Sequence, residues 1–202
     1  MAKVIGLSGP QGSGKTTLLN GLKGVGIHVD DFKVSREVQK QLGWDSLERV
    51  LEEVDTMMEF QSTILNVKRE REEQNRARTD VDIILTERTF ADIAVYTQLW
   101  SFELAHIGKW SLDRAMGFAA DFMSDCADLQ TNYAGNLILP FMQHIAWQAD
   151  PHRAQRHQVE FVDNELDHFF RVMHPKSVPV FTLTQGSIPG RIEQVHEWIK
   201  TL

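Results

Sequence analysis

The stretch that decides the fold is Gly9-Pro10-Gln11-Gly12-Ser13-Gly14-Lys15-Thr16. It satisfies every fixed position of the pattern G-x-x-x-x-G-K-[ST], known as the P-loop. The apolar run from Lys3 to Ser8 precedes it and predicts a buried strand, and the residues from Lys15 to Leu22 predict a helix. The sequence therefore predicts a phosphate-binding loop between a first strand and a first helix.

The residue types of this loop suit a bound triphosphate. Glycines let backbone N–H groups turn towards phosphate oxygens without a Cβ clash, and the helix that follows points its positive end at them. We expect Lys15 to reach the β- and γ-phosphates of ATP and the Thr16 hydroxyl to bind Mg²⁺. ATP binding is therefore assigned to residues Gly9 through Thr17, with Mg²⁺ as the cofactor.

Beyond the loop, short apolar segments alternate with helical ones. Strands are predicted at 27–30, 82–87, 136–139 and 178–183. This alternation predicts an α/β fold of the P-loop NTPase type, with a five-stranded parallel sheet flanked by helices. A length of 202 residues suits a single domain, 1–202. One long helix is predicted from Ser46 to Arg78, and its charged run from Lys68 to Arg78 is interpreted as a solvated face.

Composition limits the partners and the location of the chain. A net charge of -7 argues against broad, non-specific nucleic-acid binding, although it leaves a local basic groove open. Cys126 is the only cysteine, which excludes an internal disulfide and suits a reducing compartment. The start of the chain does not look like a signal peptide, and no apolar run reaches membrane-spanning length. We expect a cytoplasmic protein with no membrane partner, and a homodimer is left open.

The P-loop alone occurs in proteins of many functions. An absent motif and the length of the chain narrow the class of reaction. The N-K-x-D motif of GTPases is absent from the sequence. The chain is also too short for a helicase or for an AAA-type motor module with its lid domain. A kinase is the class of P-loop protein that remains, with a non-kinase ATP-binding regulatory module as an alternative.

The third predicted strand ends in Glu87-Arg88, at the sheet edge where α/β proteins place ligands. We expect Glu87 to hold a magnesium-bound water and Arg88 to clamp a phosphate or the acceptor. Asp92 lies one helical turn further on and is predicted to orient the Arg88 guanidinium. The alternative for Glu87 and Arg88 is an ion pair on the surface.

The second predicted strand ends in Asp30-Asp31. A hydroxyl acceptor loses its proton during phosphoryl transfer, so one of these carboxylates is the predicted general base. The sequence does not separate Asp30 from Asp31. The alternative is an acidic pair that caps the next helix.

Gln61 interrupts the apolar face of the long predicted helix. A buried carboxamide needs hydrogen-bond partners, and its donor and acceptor together match the edge of a nucleobase. We therefore predict that Gln61 reads an acceptor base and that Phe60 stacks on it. The alternative is a glutamine whose partners are neighbouring backbone groups.

The segment at about 143–157 is the predicted lid. Its arginines are expected to close over the triphosphate and stabilise charge in the transition state. Arg153 is the first choice for this catalytic role, and Arg156 is the second, as an ATP contact. A solvated basic loop is the alternative. Residues 184–187, after the fifth strand, are predicted to contact the adenine.

Taken together, these motifs resemble the nucleoside and nucleotide kinases. Glu87-Arg88-Thr89 resembles the E-R-S motif of deoxynucleoside kinases and the D-R motif of thymidylate kinases. Phe60-Gln61 resembles the F-Q of deoxynucleoside kinases, in which the glutamine reads the base. Asp30-Asp31 occupies the place of that family's acid, usually Glu, and Arg153 and Arg156 fall where its lid arginines lie.

The chain is similar above all to compact bacteriophage P-loop kinases of the thymidylate kinase type. This group includes deoxynucleoside monophosphate kinases and kinases that act on 5-hydroxymethyluracil in phage DNA. The resemblance implies transfer of the γ-phosphoryl group of ATP to a pyrimidine deoxynucleoside unit, namely the hydroxyl of 5-hydroxymethyluracil in DNA, in the host cytoplasm. A thymidylate-like monophosphate kinase is the alternative it implies.

Overall fold

The computed structural model describes residues 1–141 and 155–202, and five strands lie in this part of the chain. They are β1 (Lys3–Ser8), β2 (His28–Asp30), β3 (Ile83–Glu87), β4 (Gly135–Ile138) and β5 (Val180–Thr182). All their pairings are parallel, in the order β2-β3-β1-β4-β5. The predicted five-stranded parallel sheet is confirmed.

Helices cover both faces of this sheet. They are α1 (Lys15–Gly24), α2 (Val34–Gln41), α3 (Val54–Ala77), α4 (Phe90–His106), α5 (Leu112–Leu129), α6 (Arg156–Val172) and α7 (Ile188–Ile199). Alternate residues of a strand point to opposite faces. Accordingly, Val4 packs with the cores of α2 to α6, whereas Ile5 and Leu7 pack with α1 and α7.

The long predicted helix begins later than expected. Residues 47–51 form a 3₁₀ turn, because the Ser46 side chain accepts a hydrogen bond from the Glu48 N–H and caps that turn. The long helix α3 begins only at Val54. Helix α7 begins at Ile188, where Ser187 caps it and Pro189 lies in its first turn.

The interpretation of the charged run 68–78 as a solvated face holds for only one side of that stretch. Lys68, Glu72 and Asn75 are all buried, and Lys68 pairs with Glu72 at 2.6 Å. Residues four apart lie on the same helix face, so a lysine and a glutamate at this spacing neutralise each other inside the protein. One side of the run therefore packs beneath the sheet.

Within the described ranges, no helix combines the length and the apolar character needed to cross a membrane.

Candidate functional site

The P-loop joins β1 to α1 in a conformation that needs glycine. Gly9, Gly12 and Gly14 have φ angles of 153°, 82° and 93°. A Cβ atom on Gly9 would also lie 2.3 Å from the Leu139 carbonyl oxygen. A side chain at Gly9 is therefore excluded by both backbone conformation and space.

Lys15 folds back over this loop. Its ammonium donates to the carbonyl oxygens of Gly9 at 2.5 Å and Pro10 at 2.7 Å, and the side chain is buried. Burial, together with the positive charge of Arg88, lowers the pKa of Lys15 to about 8. The negative charge of a bound phosphate favours the ammonium form and opposes this shift.

A cavity of about 650 Å³ opens beside the loop, and we call it the phosphate cavity. Of the predicted ATP-binding residues, Gln11, Gly12, Gly14, Lys15, Thr16 and Thr17 line it. Gly9, Pro10 and Ser13 belong to the same loop but do not line the cavity. A further part of its wall contains Lys33, Arg36, Glu87 and Arg88.

Glu87 forms an ion pair with Lys33 on that wall. Lys33 was not singled out from the sequence, because a lone lysine after Asp30-Asp31 carries no motif. Thr16 and Glu87 line the same cavity. Oxygen donors beside a phosphate site are the ligands that Mg²⁺ takes, so these two residues fit the predicted metal.

A second, smaller cavity of about 120 Å³ adjoins the first, and we call it the Gln61 cavity. Its walls are mostly apolar and aromatic, and they come from α2, the 3₁₀ turn, α3 and α4. They include Val34, Val50, Phe60, Ile64, Ile93, Tyr96 and Trp100. The ring of Phe60 also stacks on Trp44, with ring centres 5.0 Å apart.

Gln61 lines this cavity and is only 1% exposed. Its carboxamide makes no hydrogen bond with residues 1–141 or 155–202. Since buried amides are normally hydrogen-bonded, the carboxamide is available for a ligand in the cavity.

Arg88 lines both cavities. Its backbone has a φ of 60°, which is uncommon for a residue other than glycine. Its guanidinium lies over the Tyr96 ring, 4.8 Å from the ring centre. A cation at this boundary lies where a donor phosphate and an acceptor would meet.

The hydrogen-bond partners of Asp92 differ from the predicted one. Its carboxylate accepts hydrogen bonds from the backbone N–H of Thr89 at 2.8 Å and of Gly9 at 3.2 Å. It thereby caps the first turn of α4 and ties that helix to the P-loop. The predicted pairing with the Arg88 guanidinium is replaced by these backbone contacts.

The structure does not bring Asp30 and Asp31 to either cavity. Asp30 is buried and accepts two hydrogen bonds from Arg71, both at 2.9 Å, and one from Asn75 at 2.7 Å. Burial alone would raise the pKa of Asp30, but the bonds from Arg71 and Asn75 hold it below its usual value. Asp31 is exposed and pairs with Lys23 at 2.7 Å.

The predicted lid falls largely outside the described residues, and Arg153 also lies outside them. Arg156 is the first residue of α6 and pairs with Glu160 at 2.8 Å, with both side chains largely exposed. The lid roles of both arginines stay predictions.

Arg191 on α7 is a contact of the P-loop that sequence reasoning missed. It is buried and donates to the carbonyl oxygens of Gln185 at 2.8 Å and Ser13 at 3.4 Å. Arg191 thus links Gln185, in the segment 184–187 that is predicted to contact the adenine, to the P-loop. Nothing in the sequence distinguishes it from a surface arginine of an amphipathic helix.

The fold and the glycine-rich loop define a P-loop nucleotide-binding protein. The chain belongs to the family described as an AAA domain, whose profile matches residues 4–189. Length had argued against an AAA-type motor module, and the chain nevertheless belongs to a family described as an AAA domain. No curated protein sequence matches the chain at a significant level.

Solved structures with the same fold include kinases. Deoxyadenosine kinase from M. mycoides with bound dATP has 13% identity and a TM-score of 0.65, over 98% of this chain and 99% of that one. Thymidylate kinase from Candida albicans has 11% identity and a TM-score of 0.59, over 99% and 92%.

The NadR protein in complex with NR has 17% identity and a TM-score of 0.67, over 98% of this chain. This chain spans about half of that protein, 51% of its length. These likenesses show that the chain shares its fold with these proteins.

Proposed function

We propose that this protein is an ATP-dependent kinase that phosphorylates a hydroxyl group of a pyrimidine deoxynucleoside unit, with 5-hydroxymethyluracil in DNA as the acceptor. One observation carries the proposal. The Gln61 cavity adjoins the phosphate cavity, and Arg88 lines both. A ring held beside Gln61 would therefore present its substituents towards the γ-phosphate.

The donor half of the reaction follows from the P-loop. Lys15 binds the β- and γ-phosphates of ATP, and Thr16, with Glu87 through a water, would hold Mg²⁺, which neutralises phosphate charge. The acceptor oxygen forms a bond to the γ-phosphorus while the bond from that phosphorus to the β–γ bridging oxygen breaks, and ADP leaves with that electron pair. The hydroxyl proton is released to solvent water, because neither Asp30 nor Asp31 lines the cavities. Arg88 lies at the boundary of the cavities, where it stabilises charge on the transferring group.

The size and polarity of the Gln61 cavity favour a pyrimidine. Its volume of about 120 Å³ is of the same order as the roughly 150 Å³ apolar cavities that hold a benzene ring. Gln61 offers one donor and one acceptor to the edge of such a ring. A base within duplex DNA would have to leave the stack to enter this cavity.

Arg36 favours a second candidate, a deoxynucleoside monophosphate kinase. This arginine is exposed on α2 and lines the phosphate cavity with Lys33 and Arg88. No ion pair of Arg36 is formed within the described part of the chain. Three cations on one wall would suit an acceptor phosphate.

Labelled ATP distinguishes these candidates. The protein is incubated with DNA that contains 5-hydroxymethyluracil, with the matched thymine DNA, and with the corresponding nucleoside and its 5′-monophosphate. We expect label in the hydroxymethyluracil DNA and none in the thymine DNA. Label that enters only the monophosphate, and is lost in Arg36→Ala, would support the second candidate instead. ATP binding without label in any acceptor would exclude a kinase of this type.

A further inference from the structure

Lys68 is a buried cation beneath the carboxyl end of β3, and its side chain is 2% exposed. The ammonium group has three N–H donors, and the structure provides three partners. They are the Thr86 hydroxyl at 2.7 Å, the Glu87 carbonyl oxygen at 3.2 Å and the Glu72 carboxylate at 2.6 Å. Lys68 lines neither the phosphate cavity nor the Gln61 cavity.

These contacts help to fix one peptide group, the peptide between Glu87 and Arg88. Its C=O accepts from Lys68, and its N–H donates to the Leu7 carbonyl oxygen of β1 at 3.0 Å. Both polar ends of this peptide are therefore held, one by α3 and one by the neighbouring strand. The residue that follows, Arg88, has the left-handed φ of 60°.

The ammonium of Lys68 is not needed merely to fill space. Apolar residues that replace a buried ion pair commonly give a protein of similar stability. An apolar side chain at this position would instead leave the Glu87 carbonyl oxygen without the donor that α3 supplies. The charge of Lys68 thus has a specific geometric consequence at the end of β3.

We propose that Lys68 is a positioning residue for phosphoryl transfer, and this inference rests on the proposed function. By holding the Glu87–Arg88 peptide, it directs the Glu87 carboxylate to Lys33 in the phosphate cavity. It also stabilises the left-handed backbone that places Arg88 at the wall of both cavities. Lys68 acts through these two residues and does not touch ATP or the acceptor.

The test uses a double variant, Lys68→Met with Glu72→Gln. Methionine keeps much of the volume of the lysine stem, and the second change avoids leaving an unpaired buried carboxylate. The matched control is Tyr133→Phe. Tyr133 donates to the same Glu72 carboxylate at 3.2 Å, and its loss leaves the contacts of Lys68 with Thr86 and Glu87 in place.

We expect the double variant to bind ATP with a Kd within about threefold of the unchanged protein, because the P-loop is intact. Its kcat should fall roughly 10²-fold, the size of effect that follows from a misplacement of about 1 Å at a reacting group. The Mg²⁺ concentration needed for half-maximal rate should rise. Tyr133→Phe should keep kcat within about twofold.

A crystal structure of the double variant gives a readout that does not depend on activity. We expect the Glu87–Arg88 peptide to rotate and the Lys33–Glu87 ion pair to separate. An unchanged peptide, a kcat within threefold of the original, or an equal loss of ATP binding would each overturn the positioning role. If no acceptor is phosphorylated by the unchanged protein, the proposed function fails, while the peptide orientation still decides the role of Lys68.

Discussion

The two cavities at the carboxyl edge of the sheet are built in different ways. The phosphate cavity takes half of its wall from one contiguous loop, whose backbone conformation is set by glycines. The walls of the Gln61 cavity come mainly from side chains spread between Val34 and Trp100. Backbone groups suit any triphosphate, whereas a wall of side chains suits one acceptor. Under the proposed function, the donor site would therefore be general, and the acceptor site would carry the specificity.

Charge separates the two cavities as well. Lys15, Lys33, Arg36 and Arg88 face the phosphate cavity, and Glu87 is its acidic residue. The charged residues of the Gln61 cavity are Arg88, shared with the first, and Asp92, whose carboxylate is occupied by backbone N–H groups. Substitutions on either side should accordingly change different kinetic constants.

The largest expected effect is on the donor side, in Lys15→Met. Removal of the ammonium should lower kcat by on the order of 10²–10³-fold, because one preorganised cation at the transferring phosphate is lost. Acceptor affinity, measured by titration without ATP, should stay within about twofold. Lys40→Met, an exposed lysine on α2, is the control. Retention of full activity in Lys15→Met would contradict the assignment of the donor site.

The next effect concerns Asp30 and Asp31, which lie outside both cavities. Asp30→Asn removes the charge that Arg71 and Asn75 contact and should lower the free energy of unfolding by about 2 kcal/mol. Asp31→Asn disrupts an exposed pair and should cost less than about 0.5 kcal/mol. Urea unfolding measures both variants.

The same two variants test the general-base prediction. We expect both to keep kcat within about threefold at temperatures where they are folded. A loss of about 10²-fold in either one would restore a base role to that aspartate. Because the pKa of Asp30 is lowered in the folded protein, its contribution is present above the usual aspartate pKa and is lost as the pH falls through the folded value.

On the acceptor side, Gln61→Leu should lower kcat/KM for the acceptor about 20-fold, because a hydrogen-bonding group is lost from the cavity. The KM for ATP should change little. Gln74→Leu, on an exposed position of the same helix, is the matched control. An equal effect of both substitutions would indicate a change in α3 rather than base recognition.

Local patterns account for the features that were predicted correctly. The bounds of β1 (Lys3–Ser8) match the prediction, because an apolar run is readable within a few residues. The position of Gln61 within an apolar helix face was also visible as a break in that period. Gln61 lines a cavity, and its role in reading an acceptor base stays a prediction.

Contacts between distant segments account for the rest. Lys68 and Glu72 look like a solvated pair in the sequence, and only the end of β3 above them makes their burial favourable. Asp30 and Asp31 are adjacent and alike, but Arg71, which is 41 residues away, distinguishes them. No local pattern contains this information.

The smallest expected effect is the pH dependence of ATP binding at the donor site. Burial lowers the pKa of Lys15 to about 8, and the ammonium is the form that would bind phosphate under the proposed function. Above pH 8, ATP binding must therefore take up a proton, and the Kd for ATP should rise about tenfold between pH 7 and pH 9. Calorimetry in two buffers of different ionisation enthalpy measures this proton uptake directly. Lys15→Met should show no such uptake, and an equal pH dependence in that variant would assign the titration to another group.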